Sequence, residues 1–206
     1  VAVHLGTLIA LLLYFRRQLA TMATAWFDSV FRRRQTADSR LAWQILVATI
    51  PVGLVGLAGG DFIEANLRKP LFVAGTLSFF GILMYLADRF GRGQKDEFSL
   101  TWPQALAIGC AQALALMPGT SRSGVTMTAG RALGLSRSGA ARFSFLLAIP
   151  GIAAAGGYEG LKLLTSSQVV QWGPMLIGIV FAGLSGIACI HFLIRFIERI
   201  GLLPFT

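Results

Sequence analysis

Residues 102–136 have the sequence WPQALAIGCAQALALMPGTSRSGVTMTAGRALGLS, and this stretch decides how the chain can be arranged in space. Residues 102–117 are apolar apart from two glutamines, and a Pro-Gly turn at Pro118 and Gly119 ends the run. A shorter helix-like piece, interrupted by glycines, follows the turn. Because a membrane span needs about 20 apolar residues, neither piece is long enough to cross a bilayer alone. The sequence therefore predicts a re-entrant hairpin over residues 102–136.

A single full span from residue 98 to about residue 121 is the alternative, since this stretch carries no charged residue. In that arrangement the Pro-Gly turn would lie at the far membrane surface. In the hairpin it would lie near mid-depth, where non-helical backbone must be buried in protein or face a watery cavity. The residues alone leave both arrangements open.

Apolar blocks make up most of the remaining chain and predict an all-α, polytopic integral membrane protein. Hydrophobic residues account for 55% of the 206 residues, charged residues for only 13%, and the mean hydropathy is +0.69. Four blocks lack any Asp, Glu, Lys or Arg: residues 41–60, 70–87, 143–158 and 163–194. A further helix is predicted from the chain start to about Phe15. We treat residues 1–206 as one transmembrane domain.

Basic residues at the ends of these blocks account for the net charge of +9. Six arginines fall within residues 16–40, which we interpret as a cytoplasmic basic loop with an amphipathic middle around residues 22–31. The run Arg32, Arg33 and Arg34 suits contact with anionic lipid. The alternation of basic residues between connections makes the hairpin enter from the cytoplasmic side. No soluble basic face with interleaved aromatic residues is present, which argues against a nucleic-acid partner.

Arg122 is the residue at the hairpin turn that most needs a partner. The nearest acidic residues in the sequence are Glu97 and Glu159, both in predicted loops. An arginine at the bilayer centre costs about 2.5–3.5 kcal/mol on insertion scales, so an unpaired one is stabilised by an anionic ligand. Phosphate is the natural candidate, because a guanidinium can bind it through two parallel hydrogen bonds. The competing interpretation is a structural polar turn between two helices.

The residues around Arg122 suit a phosphate site. Gly119 and Gly124 let the backbone approach a ligand closely. A helix that begins near Gly124 directs free N–H groups and its dipole towards the same place. Hydroxyl groups come from Thr120, Ser121, Ser123 and Thr126. A serine at such a site could also act as a nucleophile, but only where a base activates it.

Three stretches together resemble the undecaprenyl-diphosphate phosphatase family, also called the bacitracin-resistance family: LMPGTSRSG at 116–124, LGLSR at 133–137 and FSFLLAIP at 143–150. The opening HLGT at 4–7 with YFRR at 14–17, and the closing IGLLPF at 200–205, are similar too. The resemblance thus covers the whole chain in order. It implies a fold with an inverted-topology repeat, in which two re-entrant hairpins meet near mid-membrane.

The resemblance also implies a function. Members hydrolyse undecaprenyl diphosphate to undecaprenyl phosphate and inorganic phosphate, which recycles the lipid carrier for cell-wall synthesis and confers bacitracin resistance. The expected location is the bacterial cytoplasmic (inner) membrane. The expected partners are the polyprenyl diphosphate substrate, membrane lipids and a second copy of the chain in a homodimer. A lipid-carrier or anion transporter of the same architecture is the alternative.

By matching position, the resemblance gives Arg122 and Ser121 catalytic roles. It assigns substrate binding to Gly119, Thr120, Ser123, Gly124 and Thr126. The family's second motif, with paired glutamates, a serine proposed as nucleophile and a histidine, does not occur in the sequence, and a final helix is also missing. We therefore expect a chain truncated at both ends that holds no metal ligand. A divalent cation, with Mg²⁺ as first candidate, is the expected cofactor, bound by residues upstream of Val1.

Overall fold

A computed structural model describes residues 2–91, 93–165 and 172–202. Eight helices lie within these residues: α1 Ala2–Tyr14, α2 Arg16–Phe31, α3 Ala37–Asn66, α4 Pro70–Phe90, α5 Trp102–Leu114, α6 Arg122–Ala132, α7 Arg137–Thr165 and α8 Trp172–Ile200. A 3₁₀ turn at Glu97–Ser99 precedes α5, and the same residues contain no β-strand. By length and composition, α3, α4, α7 and α8 can each cross a membrane. The predicted all-α polytopic membrane fold is confirmed.

The long helices continue beyond the uncharged blocks that predicted them. α3 begins at Ala37 because Thr36 and Ser39 form a reciprocal capping box. The Thr36 hydroxyl accepts a hydrogen bond from the Ser39 N–H (3.2 Å), and the Ser39 hydroxyl accepts one from the Thr36 N–H (2.8 Å). Such caps satisfy backbone groups at the helix end, so the helix extends into the polar zone at the membrane surface.

The segment 16–40 differs from the predicted loop, because residues 16–31 form the helix α2. α2 packs on the start of α3, where the ring centroids of Trp26 and Trp43 are 5.5 Å apart and the Trp43 indole donates to the Ser29 hydroxyl (3.1 Å). Phe27 and Phe31, on the other side of the helix, are exposed. The amphipathic middle predicted within the loop is thus part of a complete helix.

α1 and α8 run parallel and are packed through small residues. Gly6 lies so close to Ala182 and to the Ile179 carbonyl that a Cβ there would collide with them. One helical turn to either side, Ala2 lies by Gly178 and Ala10 lies by Gly186. Small residues every fourth position let two membrane helices approach closely, which strengthens their dispersion contacts.

α5 lies along α3 in parallel. Near its start, the Gln44 amide on α3 donates to the Leu100 carbonyl (2.8 Å). Further along, Gly109 rests directly on Ala48, where any side chain on Gly109 would collide with the backbone. The direction of α5 is therefore that of α3, which the sequence predicts to run outward from the cytoplasm.

A single helix over residues 98–121 is not what the structure shows. A capping box starts α5 at Trp102: the Thr101 side chain accepts from the Gln104 N–H, and the Gln104 side chain accepts from the Thr101 N–H (3.1 Å). Its last hydrogen bonds tighten to i→i−3, with the N–H groups of Ala115 and Leu116 donating to the Gln112 and Ala113 carbonyls. The helix ends there. Two short helices joined by a turn fit the predicted hairpin, whose depth in the membrane stays a prediction.

α6 returns between α4 and α7. Gly124 near its start lies by the Met84 side chain of α4, and Gly130 near its end lies by Ala140 of α7. Arg131 further along α6 contacts Asp88 of α4, so α6 is parallel to α4. Thr126, earlier in α6, contacts Ser144 later in α7, so α6 is antiparallel to α7. Two predicted spans therefore support the second helix of the hairpin along its length.

A buried carboxylate, Asp88, joins the ends of four helices at the predicted cytoplasmic side. Arg137 at the start of α7 binds it twice, with Nε–Oδ1 at 2.7 Å and Nη2–Oδ2 at 3.1 Å. The Leu202 N–H, just after α8, donates to Oδ2 (3.0 Å). Arg131 near the end of α6 has its Nε 3.6 Å from Oδ1. We call these four residues the Asp88 cluster.

Arg131 also binds backbone carbonyl groups around this cluster. Its guanidinium donates to the carbonyl oxygens of Gly91, Gly93 (3.2 Å) and Leu135 (2.6 Å). A β-bridge between Lys95 and Leu135 binds the α4–α5 connection to the end of α6 at the same place. This end of the molecule is held by charged side chains and backbone hydrogen bonds together.

Candidate functional site

The turn between α5 and α6 is fixed against the first part of α4. Gly119 adopts a left-handed conformation (φ +89°). Its Cα lies so near the Val73 carbonyl and the Thr76 hydroxyl that a Cβ would collide with both. Thr76 donates a hydrogen bond to the Pro118 carbonyl (2.7 Å). The turn therefore cannot shift without breaking contacts to a predicted span.

Replacing Gly119 with alanine is expected to disturb the turn both by strain and by collision. A left-handed backbone costs a non-glycine residue about 1–2 kcal/mol, and the added methyl also meets α4. Gly134 is the matched control, because it has a similar φ of +94° but nothing within 4 Å of an added Cβ. Gly119→Ala should lower both the melting temperature in detergent and the activity more than Gly134→Ala does. Equal effects would contradict the fixed turn.

Ser121 caps the N-terminus of α6. Its hydroxyl accepts a hydrogen bond from the Gly124 N–H (3.2 Å) and lies 3.4 Å from the Ser123 hydroxyl. Ser121 is exposed, so its hydroxyl can still reach a ligand. The first N–H groups of the helix have no intrahelical partner and point in the same direction. The cap thus presents hydroxyl and amide donors together, as anion binding requires.

Arg122 is the first residue of α6, and its guanidinium lies against α7. An added Cβ on Gly151 would be 3.4 Å from Nη1, so the glycine leaves room beside the charge. The side chain is half-buried, and within the described residues no hydrogen bond or ion pair reaches its guanidinium. Arg131 and Arg137, by contrast, are paired in the Asp88 cluster. Arg122 therefore holds an unbalanced positive charge at the turn.

Thr126 lies one helical turn behind Arg122 and faces inward. Its hydroxyl is 2.6 Å from that of Ser144 on α7 and 2.9 Å from the Arg122 carbonyl, and both hydroxyl residues are buried. This contact joins α6 to α7 directly behind the turn. Thr126 thus braces the helix that carries Arg122, and its predicted contact with substrate stays a prediction.

The structure brings the other predicted site residues together at the turn. Residues 119–123 are consecutive; Ser121 is exposed and the other four are partly buried. Gly124 is buried beneath the Ser121 side chain. The Thr120 hydroxyl is buried, and no partner for it occurs in the part of the chain that the structure describes. An unsatisfied hydroxyl and an unpaired guanidinium in the same turn suit a ligand with several acceptor oxygens.

Sequence reasoning missed two supporting residues, Thr76 and Ser144. Thr76 lies in a long apolar block and resembles an ordinary helix-lining threonine. Ser144 lies inside the stretch FSFLLAIP, which contributed to the resemblance without a role for its serine. Only the packing of α4 and α7 against the turn reveals what each hydroxyl binds.

Neither of the two acids nearest Arg122 in the sequence forms an ion pair with it among the described side chains. Glu97 is buried in the 3₁₀ turn before α5, where the Gln18 amide donates to it (3.4 Å). The side chain of Glu159 lies outside the described residues. Those residues also hold no group of three or more His, Cys, Asp or Glu side chains that could bind a metal ion. They do not fit a metal centre by themselves.

Comparison with known proteins decides the family. The family model described as bacitracin resistance protein BacA matches residues 1–206. The chain belongs to the BacA family. With its four helices able to span a membrane, this BacA-family chain is a multi-pass protein of the bacterial inner membrane.

Similar proteins carry names that agree with the family. The undecaprenyl-diphosphatase of Nitrosococcus oceani is 52% identical over 206 residues, which cover 100% of this chain and 78% of that protein. Undecaprenyl-diphosphatase 2 of Stutzerimonas stutzeri is 52% identical, with 100% and 77% coverage. Undecaprenyl-diphosphatase 1 of Pseudoalteromonas translucida is 47% identical, also with 100% and 77% coverage. The BacA-family resemblance inferred from the residues is confirmed.

Proposed function

We propose that this BacA-family protein hydrolyses undecaprenyl diphosphate to undecaprenyl phosphate and inorganic phosphate. The observation that carries the proposal is Arg122 at the N-terminus of α6, whose guanidinium has no partner among the described residues and whose neighbours in the sequence carry hydroxyl groups. The names of the relatives agree with this reaction, and they do not favour the transporter alternative. The reaction recycles the lipid carrier for cell-wall synthesis and confers resistance to bacitracin.

In this reaction the Arg122 guanidinium donates hydrogen bonds to oxygens of the diphosphate. A nucleophile forms a bond to the terminal phosphorus while the bond from that phosphorus to the bridging oxygen breaks, and the electron pair of the broken bond stays on the oxygen of the departing lipid phosphate. Water supplies the oxygen and the protons that complete the released inorganic phosphate. A guanidinium and helix N–H groups that are already in place stabilise that charge without reorganising. Ser123 and Thr120 orient the phosphate by donating hydrogen bonds from their hydroxyls. Thr126 acts through the helix, since it holds α6 against α7.

Ser121 has a catalytic role in the proposal as a phosphate-orienting hydroxyl. A nucleophilic serine needs a base within hydrogen-bond reach. The Ser121 hydroxyl accepts a hydrogen bond from the Gly124 N–H and lies 3.4 Å from the Ser123 hydroxyl, and neither group is a base. The proposal therefore leaves the nucleophile and the general base to the family's second motif.

A divalent cation, with Mg²⁺ as first candidate, belongs to the proposal as a cofactor. Because the described residues hold no cluster of metal-ligating side chains, no step of the reaction is assigned to the ion here. A homodimer is likewise proposed, and the mass of the purified protein in detergent tests it.

The decisive experiment measures free phosphate released from undecaprenyl diphosphate by the full-length protein in detergent. No gradient exists in detergent, so a transporter produces no phosphate there. Sustained release supports the enzyme. If no phosphate is released and labelled lipid moves across vesicle membranes, the transporter would replace the enzyme as the proposed function. In a parallel arm, EDTA should stop the release and excess Mg²⁺ should restore it; release that is indifferent to EDTA would remove the cation from the proposal.

A further inference from the structure

A cleft opens between the end of α1, the start of α2 and one side of α8. It has a volume of about 520 Å³. Its lining residues are Leu13, Tyr14, Arg16, Arg17 and Ile187. None of these residues belongs to the proposed phosphatase site, so the cleft needs its own explanation.

The position of this cleft relative to the membrane follows from the packing of α1. α1 runs antiparallel to α7, since Leu5 lies by Gly156 and the ring centroid of Phe15 lies 6.3 Å from that of Phe145. Phe15 is 3% exposed and forms the elbow between α1 and α2. In the predicted orientation this elbow lies at the cytoplasmic surface of the membrane. The buried Phe15 thus holds the two arginines that follow it at that level.

The walls and the mouth of the cleft differ in chemistry. Leu13, Ile187 and the Tyr14 ring form the apolar part of the lining, and the centroid of the Tyr14 ring lies 6.3 Å from that of His191. Arg16 and Arg17 are exposed at the mouth. Over the described ranges, no acidic side chain pairs with either guanidinium. The cleft therefore combines an apolar interior with an uncompensated charge of +2 at its rim.

We propose that this cleft binds an anionic phospholipid of the cytoplasmic leaflet. Arg16 and Arg17 bind the headgroup phosphate, and one acyl chain lies along Leu13 and Ile187. Basic pockets between membrane helices on the cytoplasmic side recognise such headgroups through the same chemistry. A zwitterionic lipid binds less well, because its own cation offsets the phosphate and faces the two arginines.

α2 extends the same interaction along the membrane surface. Its exposed apolar side chains include Phe27, Val30 and Phe31, the last 77% exposed. Exposed arginines follow directly at Arg32, Arg33 and Arg34. An amphipathic helix with apolar side chains and basic ends lies in the interface and is attracted to anionic lipid. α2 thereby keeps the cleft at its start in contact with the headgroup layer.

The test uses the purified, delipidated full-length protein and native mass spectrometry. Retention of phosphatidylglycerol is compared with retention of phosphatidylcholine carrying the same acyl chains. The double variant Arg16→Gln/Arg17→Gln should lose phosphatidylglycerol retention by roughly 30-fold. The matched control Arg89→Gln/Arg199→Gln removes the same charge from two exposed arginines that do not line the cleft, and it should retain the lipid nearly as well as the parent.

Ile187→Trp fills the cleft without changing the charge and should also reduce retention, so the proposal stays testable if the double variant folds poorly. Melting temperatures in phosphatidylcholine show which variants are folded. Equal losses in both arginine double variants would mean diffuse surface attraction and would overturn the cleft. Equal retention of the two lipids by the parent protein would overturn it as well. Because the readout is lipid binding, the result is independent of the proposed phosphatase activity.

Discussion

Phosphate release from undecaprenyl diphosphate should fall by about 1,000-fold when Arg122 is replaced with alanine in the full-length protein. The guanidinium is the cation at the turn that no described residue neutralises, so the diphosphate loses its main charge partner. Stability should not fall, since no hydrogen bond or ion pair of the described structure depends on this guanidinium. Initial rates at saturating lipid, with melting temperatures alongside, measure both effects.

Two further variants sharpen the Arg122 prediction. Arg122→Lys keeps the charge but cannot form two parallel hydrogen bonds, so its rate should lie between those of the parent and the alanine variant. Arg89→Ala removes an exposed arginine at the end of α4 and should leave the rate nearly unchanged. Near-normal turnover in Arg122→Ala would remove this residue from catalysis.

Asp88→Asn should cause a large loss of stability. Asp88 is 8% exposed and Arg131 is 5% exposed, so removing the carboxylate leaves buried cations without their partner. Breaking a buried pair in this way costs about 3–5 kcal/mol. For a chain of this size, a loss of that order lowers the melting temperature by roughly 10 °C. Thermal unfolding in detergent, followed by intrinsic fluorescence, measures the shift.

Asp28→Asn is the control for the Asp88 prediction. Asp28 forms a surface pair with Arg32 at 3.3 Å, and the two side chains are 47% and 68% exposed. Such pairs contribute about 0–1 kcal/mol, so the melting temperature should hardly change. If Asp88→Asn were equally harmless, the Asp88 cluster would not be what holds the four helix ends together.

The sequence predicts the helical architecture well because hydrophobic blocks and their basic ends are local properties. The blocks at 41–60 and 70–87 both lie inside observed helices. The predicted end of the first hairpin helix was slightly wrong, since α5 ends at Leu114, before the turn at Pro118 and Gly119. α2 was predicted only in part. Its arginines and its weak apolar side suggest a loop, and only the packing of Trp26 on Trp43 explains why the helix is complete.

The site residues likewise fall into those that local sequence predicts and those that depend on packing between helices. Residues 119–124 could be found from the sequence because they are consecutive and lie in an apolar setting. The inward direction of Thr126 could not be found, since it depends on Ser144 in a different helix. The Asp88 cluster was missed for a similar reason: Asp88 and Arg137 are 49 residues apart, and each resembles an ordinary charge at a membrane boundary.

Gly151 on α7 lies directly beside the Arg122 guanidinium. Because this position has no side chain, backbone alone defines the space next to Nη1. A methyl group would make ordinary van der Waals contact at 3.4 Å, whereas a branched side chain would push the guanidinium aside. The absence of a side chain at this one position on α7 therefore leaves the Arg122 guanidinium its place, and a substitution there would change the setting of the charge without removing it.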